Sequence, residues 1–225
     1  MRIISDKKEL MKLCSFIVMG DGGVYYSSKG GGNCGFIMNM KKSNIDYVEL
    51  CSDILSNVTS TKISDRTMSN NDGCNRQPQV TLTTPKHPFF TKLRERIYTD
   101  KYKGIDPHAL KLLDFEALSF LYMSDGCFNI NFTNGSSIEK PAYNLTLNMK
   151  RLSYGDQMLL KNALKNKLDL EFNIQRSKEF YYLRLRTKDI RKFMDGIRPY
   201  ITPSFSYKIL DEMPLKNKIE GGDIV

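Results

Sequence analysis

The chain has 225 residues, a formal net charge of +9 and 40% hydrophobic residues. That apolar share supports one large domain or two fused halves of about 100 residues and excludes wholesale disorder. No run approaches the roughly 18 apolar residues of a membrane span, and residues 1–9 are charged with no signal-like apolar core, so an intracellular protein without a membrane partner is expected.

The first apolar run, Leu13-Cys14-Ser15-Phe16-Ile17-Val18-Met19-Gly20-Asp21-Gly22, reads as a helix ending in Asp-Gly. A short strand follows over 24–29, then a glycine-rich turn at 29–32. Residues 33–41 alternate, with Cys34, Phe36, Met38 and Met40 on one face. Ser43 reads as a helix N-cap before Ile45, Val48, Cys51, Ile54 and Leu55 at helical spacing. Strands are expected over 58–66 and 77–83, parted by a polar loop at 70–73, and a helix over 87–98 closes the unit.

The second apolar run, Leu118-Ser119-Phe120-Leu121-Tyr122-Met123-Ser124-Asp125-Gly126, opens the same series. Phe128, Ile130 and Phe132 alternate with Asn129, Asn131 and Thr133, and Asn134-Gly135 signals a hairpin turn. Leu145, Leu147 and Met149 alternate in the next strand. A helix over 154–168, strands over 171–177 and 181–186, and a helix over 189–200 complete it. Asp21 and Asp125 lie 104 positions apart, and Arg96/Arg198, Tyr98/Tyr200, Tyr102/Tyr207 and Lys103/Lys208 recur at offsets of 102 to 105. Near-constant offsets indicate an internal repeat. The expected organisation is an N-terminal repeat over 1–99, a linker over 100–113, a C-terminal repeat over 114–210 and a polar tail over 211–225. The expected fold class is α+β, with two tandem αββαββα repeats related by a pseudo-twofold axis.

Strand parity sorts polar side chains onto one face of each sheet. The first half offers Tyr25, Ser27, Lys29, Asn33, Asn39, Lys41, Lys62, Ser64, Arg66, Gln77, Gln79, Thr81 and Thr83. The second offers Asn129, Asn131, Thr133, Asn144, Thr146, Asn148, Lys150, Asn173, Gln175, Tyr182, Arg184 and Arg186. Any one such face suits solvent; eight strands rich in Asn, Gln, Thr, Lys and Arg in a basic protein match the donor and acceptor edges of the DNA major groove.

Two aspartates brought together at adjacent helix ends repel unless cations lie between them, which implies a divalent metal; hard carboxylate oxygens suit Mg²⁺. Lys103 and Lys208 follow their aspartates by 82 and 83 positions, so each is expected near a carboxylate, holding water or offsetting transition-state charge. The five cysteines (Cys14, Cys34, Cys51, Cys74, Cys127) include no C-x-x-C and read as reduced thiols. His87 and His108 stand beside prolines, in loop or cap contexts, which turns the chemistry toward carboxylates and lysines.

The runs CSFIVMGDG and LSFLYMSDG resemble the paired motifs of the LAGLIDADG homing endonucleases, and the resemblance extends over about residues 8–210. YITPSFSYKI resembles the closing segment of single-chain members. The resemblance implies two four-stranded antiparallel saddle sheets lying in the DNA major groove, with helices packed on the face away from DNA. It implies Asp21 and Asp125 as metal-binding acids, with Gly20 and Ser124 beside them as further metal contacts, and Lys103 and Lys208 as basic residues near the active centres. Met19 and Met123 replace the first acid of the motif, and Phe16 and Phe120 its central glycine. Small residues at Gly20, Ser124, Ser15 and Ser119 keep a close helix crossing available.

The expectation is therefore a monomeric, Mg²⁺-dependent endonuclease (with Mn²⁺ or Ca²⁺ able to occupy the same site) that cuts a long asymmetric duplex across the minor groove and leaves short 3′ overhangs. Two rivals share the fold: an RNA maturase acting on its host intron RNA, and a non-catalytic DNA-binding protein. Lys, Asn and Ile usage fits an AT-rich genome, which places the protein in a phage-infected bacterial cytoplasm or an organelle matrix.

Overall fold

A computed structural model describes residues 2–26, 32–66, 77–132 and 141–210, with only the backbone described at 131, 132 and 141. All but Gly32 of the turn expected at 29–32, the turns at 70–73 and 134–135, the tail at 211–225, Cys74, Ser27, Lys29 and Thr133 lie outside the described residues.

The elements run in two matching series. The first is α1 (Lys7–Met19), β1 (Gly23–Tyr26), β2 (Cys34–Lys41), α2 (Ile45–Leu55), β3 (Lys62–Arg66), β4 (Gln79–Thr83) and α3 (Pro88–Ile97). A small hairpin, β5 (Tyr98–Thr99) and β6 (Tyr102–Lys103), and a single turn α4 (Pro107–Leu110) follow. The second series is α5 (Phe115–Asp125), β7 (Gly126–Phe132), β8 (Pro141–Leu147), α6 (Tyr154–Leu168), β9 (Phe172–Ser177), β10 (Phe180–Leu185) and α7 (Ile190–Ile197). The sheets have orders β1-β2-β4-β3 and β7-β8-β10-β9, antiparallel in every pairing. The tandem αββαββα architecture read from the sequence is the observed one.

α1 and α5 pack together at the centre. Residues 13–19 of α1 and the equivalent 117–123 of α5 are all buried. Helices buried on every side lose the usual apolar stripe, which is why these two runs are apolar but for Ser15 and Ser119. One continuous core cluster joins both halves, with α2, α3, α6 and α7 covering the inner sheet faces. At the N-terminal end of the crossing, the nearly buried Lys12 of α1 forms an ion pair with Asp114, the N-cap of α5, and a second with Glu9 at 2.8 Å.

Helix boundaries follow local chemistry. Ser153 and Asp156 form a capping box that starts α6, and His87 caps α3 by accepting the Phe89 N–H at Nδ1. Ser43 does not cap α2. It lies inside a 3-10 turn, Lys42–Asn44, and Asn44 holds the N-cap position, its side chain accepting from the Ser43 hydroxyl rather than capping the helix. The helix expected to reach Tyr98 yields to β5 at that residue. The last helix ends at Ile197 and continues as a 3-10 turn through Pro199, whose ring removes a backbone donor. Cys14, Cys34 and Cys51 are free and buried, and Cys127 is free and half-buried. No helix among the described residues is long and apolar enough to cross a membrane.

Candidate functional site

The two motif helices converge at their C-terminal ends. α1 closes with the Gly20 N–H donated to the Phe16 carbonyl, and a side chain at Gly20 would put its Cβ 2.3 Å from Ser124 Oγ. The absent side chain lets α1 touch α5. Across this contact the Asp21 N–H donates to Ser124 Oγ at 3.2 Å, and the buried Tyr47 hydroxyl lies 3.5 Å from the same oxygen. Asp125 is the last residue of α5, and β7 begins at once with Gly126, whose Cβ would fall 2.4 Å from the Tyr122 carbonyl oxygen. Asp21 and Asp125 are both half-buried. Burial, and next the charge of Asp21, raise the Asp125 carboxyl to about 6. Ser15 and Ser119 spend their hydroxyls elsewhere, on Asp106 at 2.8 Å and on the Glu116 carbonyl at 2.7 Å.

Each lysine is held by carbonyls at a helix end. Lys103 Nζ donates to the Gly20 and Gly22 carbonyls at 2.9 and 2.8 Å; Lys208 Nζ donates to those of Met123 and Tyr122 at 2.7 and 3.3 Å. Burial lowers both ammonium groups, Lys103 to about 8. The charge of each acid weighs most on the lysine of the other half. Lys103 is held beside its own half's helix end but responds more strongly to Asp125 than to Asp21, whereas Lys208 responds more strongly to Asp21. Equal sequence offsets suggested a lysine near each acid; the helix crossing decides which one.

Two clefts open here. The first, about 550 Å³, runs from Asp21, Ser124 and Lys208 past Ser43 and Asn44 to Asn39, Lys41 and Gln79 on the sheet. The second, about 350 Å³, is lined by Lys103, Tyr102, Arg96, Arg151, Ser153 and Asp156. Arg151 was not among the residues expected from sequence. Strand parity carried through to Lys150 and left Arg151 out of phase, but β8 stops at Leu147. The Ser153/Asp156 capping box is the sequence signal that places a loop over 148–153.

Two carboxylates at the ends of touching helices, with the Ser124 hydroxyl and the nearby carbonyls, form a hard-oxygen donor set of the kind a divalent metal takes. The residues therefore fit a divalent metal. The Gly20 carbonyl already accepts from Lys103.

The sheet faces assemble as parity required. In the first sheet Asn39 pairs with Thr81, Lys41 with Gln79, and Lys62, Ser64 and Arg66 with Thr83, Thr81 and Gln79, so all share the outward face. Tyr25 joins them opposite Gly35, while Asn33 and Gln77 are exposed just outside their strands. In the second sheet Asn129 pairs with Asn144, Thr146 and Asn173 with Arg184, and Gln175 with Tyr182. The backbone of Asn131 pairs with that of Ala142, and its side chain lies outside what is described. Several expected contacts are placed differently. Thr146 is buried at 6% exposure, and the Tyr182 hydroxyl donates to Gln175 at 2.7 Å. Asn148 and Lys150 lie beyond β8, with the Asn148 N–H on the Asp125 carbonyl at 2.8 Å. Arg186 lies beyond β10 in an ion pair with Glu171 at 2.5 Å.

The sequence model of the LAGLIDADG DNA endonuclease family matches residues 17–193. An uncharacterized protein of Methanocaldococcus jannaschii, MJ1098, is 30% identical over 129 residues, covering 57% of this chain and 47% of its own; the chain thus spans about half the length of this curated relative. The homing endonuclease I-WcaI bound to its DNA recognition sequence superimposes with a TM-score of 0.72 at 20% identity, covering 95% of this chain and 90% of that one. I-DmoI in complex with DNA and Mn superimposes with a TM-score of 0.53 at 15% identity, covering 85% and 97%.

Proposed function

This chain belongs to the LAGLIDADG DNA endonuclease family, and from that premise we propose that it is a single-chain, site-specific homing endonuclease that makes a double-strand break in a long asymmetric DNA target. The observation that carries the reading is the pair of half-buried aspartates at touching helix ends, with a lysine ammonium held on the carbonyls of each end. The outward polar faces of the two sheets would follow the major groove, while phosphate contacts supply much of the affinity.

Asp21 and Asp125 would hold the metal, Mg²⁺ in the cell, with the carbonyls of Gly20 and Ser124 as further oxygens. When bound, a divalent cation polarises the scissile phosphodiester and favours an attacking hydroxide. Lys208, which lines the first cleft with Asp21, and Lys103, which lines the second, would each orient water and offset charge developing on the phosphate. Two such centres across one minor groove would leave short 3′ overhangs, and a single chain holding both works as a monomer.

The test is cleavage by purified protein with Mg²⁺ of a duplex that joins the flanks of its gene, backed by selection from a randomised duplex library. The joint substitution Asp21→Asn and Asp125→Asn should abolish scission and leave duplex binding within a few-fold. Intact DNA from both substrates, in Mg²⁺ and in Mn²⁺, would overturn the reading; intact DNA together with assisted splicing of a host intron would point to the maturase.

A further inference from the structure

The two sheets approach the pseudo-twofold axis with corners of opposite chemistry. In each sheet a buried leucine, Leu82 of β4 or Leu183 of β10, pairs with a partly buried isoleucine of the edge strand, Ile63 of β3 or Ile174 of β9. Three residues earlier in β4 and β10 stand Gln79 and Phe180, opposite Arg66 and Ser177. Gln79 also pairs with Lys41 and lines the cleft that holds Asp21. In the second half, Leu183 pairs with Leu147, the last residue of β8, and the next residue, Asn148, donates its N–H to the Asp125 carbonyl. Phe180 thus stands at the motif-helix end of its sheet, as Gln79 does in the first.

Resting on the endonuclease reading above, we infer that Phe180 is a base-reading residue that selects thymine, by its C5 methyl group, at one base pair of the second half-site close to the centre of the target.

Three observations support this assignment. First, register puts Phe180 on the outward face with Tyr182 and Arg184, while the alternate residues Leu183 and Leu185 are buried in the core. Phe180 is 46% exposed and stands outside the core cluster. A phenyl ring left in water adds little to the fold; laid against DNA it removes apolar surface from water. Second, the polar groups beside it on this face are engaged or distant. The Tyr182 hydroxyl donates to Gln175 at 2.7 Å, and Arg184 stands four residues along β10, opposite Thr146 and Asn173. Third, the ring has no donor or acceptor, and thymine is the one base that shows the major groove an apolar group. Over any other base edge the ring would leave polar groups without partners. The matching corner of the first half, Gln79 between Lys41 and Arg66, offers an amide and two cations, which suit the acceptor-rich edges of purines. The base pairs on either side of the centre are therefore read by unlike chemistry.

The test selects bound duplexes from a randomised library in EDTA, so that binding is read without cutting, with wild type, Phe180→Ala and Gln79→Ala. Wild type should require thymine at one pair beside the centre. Phe180→Ala should accept any base there and keep the other preferences, whereas Gln79→Ala should relax a pair on the opposite side. Deoxyuridine in place of that thymidine removes the methyl group alone. It should weaken wild type by about 3- to 10-fold and leave Phe180→Ala within about twofold. Because the side chain is exposed, the thermal midpoint of Phe180→Ala should not move. Unchanged preferences in Phe180→Ala, relaxation at a pair that is not thymine, or equal binding of the thymidine and deoxyuridine duplexes by wild type would overturn this inference and leave the endonuclease reading standing. Sequence-selective binding without scission in Mg²⁺ or Mn²⁺ would overturn the endonuclease reading and leave Phe180 as a base reader of a non-catalytic DNA-binding protein. A wild type that enriches no sequence overturns both.

Discussion

In the first half, the lysine beside the helix ends is carried by the β5–β6 hairpin, turned at Asp100 with φ 55°. In the second half it closes a 3-10 segment, Pro203–Lys208, that begins on a proline. The backbone differs completely, yet both ammonium groups end on carbonyls at a motif-helix terminus. The same is true of the acids: Asp125 is helical, whereas Asp21 stands in the turn after Gly20. What the repeat preserves is the position of charged groups about the pseudo-twofold axis. Local structure drifts around those positions, and one product of that drift is the loop bearing Arg151.

The sharpest way to break this comparison is to remove the lysines one at a time. Lys103→Gln should slow chiefly the strand cut at Asp125, and Lys208→Gln the one cut at Asp21, each by about 10²-fold, read from strand-resolved time courses. Equal slowing of both strands by either variant would refute this assignment of lysines to strands. Next comes the contact at the axis. Gly20→Ala forces a Cβ into Ser124 and should cost about 1–3 kcal/mol in urea unfolding, and Ser124→Gly in the same molecule should restore most of it. Additive losses would show that the helices do not meet there.

A smaller effect separates the acids. Burial and Asp21 raise Asp125 from 3.8 to about 6, so the folded state binds this proton more tightly than the unfolded chain. The associated stability is complete below about pH 4 and is lost as pH rises through about 6. In metal-free buffer at pH 7.5, Asp125→Asn should therefore be more stable than wild type by about 1–2 kcal/mol, allowing for solvent at the carboxylate, with no gain at pH 4. Denaturation at the two pH values checks it, and an unchanged difference would count against it. Smallest of all, the described outward face of the first sheet carries Lys41, Lys62 and Arg66, and the β7-β8-β10-β9 face carries Arg184. Lys62→Gln should lower the slope of log binding against log salt by about 1, weakening all targets alike.

Much of this was legible in the residues. Period-2 alternation identified the outward faces, because the sheets bury one side against helices and a register slip would expose Phe36 or Leu183. The span of α6 matched to the residue, since a capping box starts it and Asp169 ends it in a left-handed conformation. What escaped lies in loops and in three-dimensional proximity. Alternation continues on paper past the end of a strand, so Lys150 and Arg186 were given strand positions they do not hold. Thr146 has the right parity yet is buried on the interior strand β8, between β7 and β10, which parity cannot weigh. Offsets of 82 and 83 are indifferent to which lysine faces which acid. Asp106, fully buried and bound by the Ser15 hydroxyl and the His108 N–H, carries no periodic signal at all.

The ion pair at the start of the helix crossing bears on descent and on engineering. The position equivalent to Lys12 in the second half is Glu116, and that equivalent to Asp114 is Leu10. Two copies of the first half joined about the same axis would set each Lys12 against an aliphatic side chain, leaving Glu9 as its remaining partner. A buried charge that loses its counter-ion costs about 3–5 kcal/mol. Two copies of the second half would deprive each Asp114 of its lysine. This fusion is thus committed to unlike partners: a half grafted onto a foreign mate folds into a matched pair only if the graft also carries its side of the Lys12–Asp114 bridge.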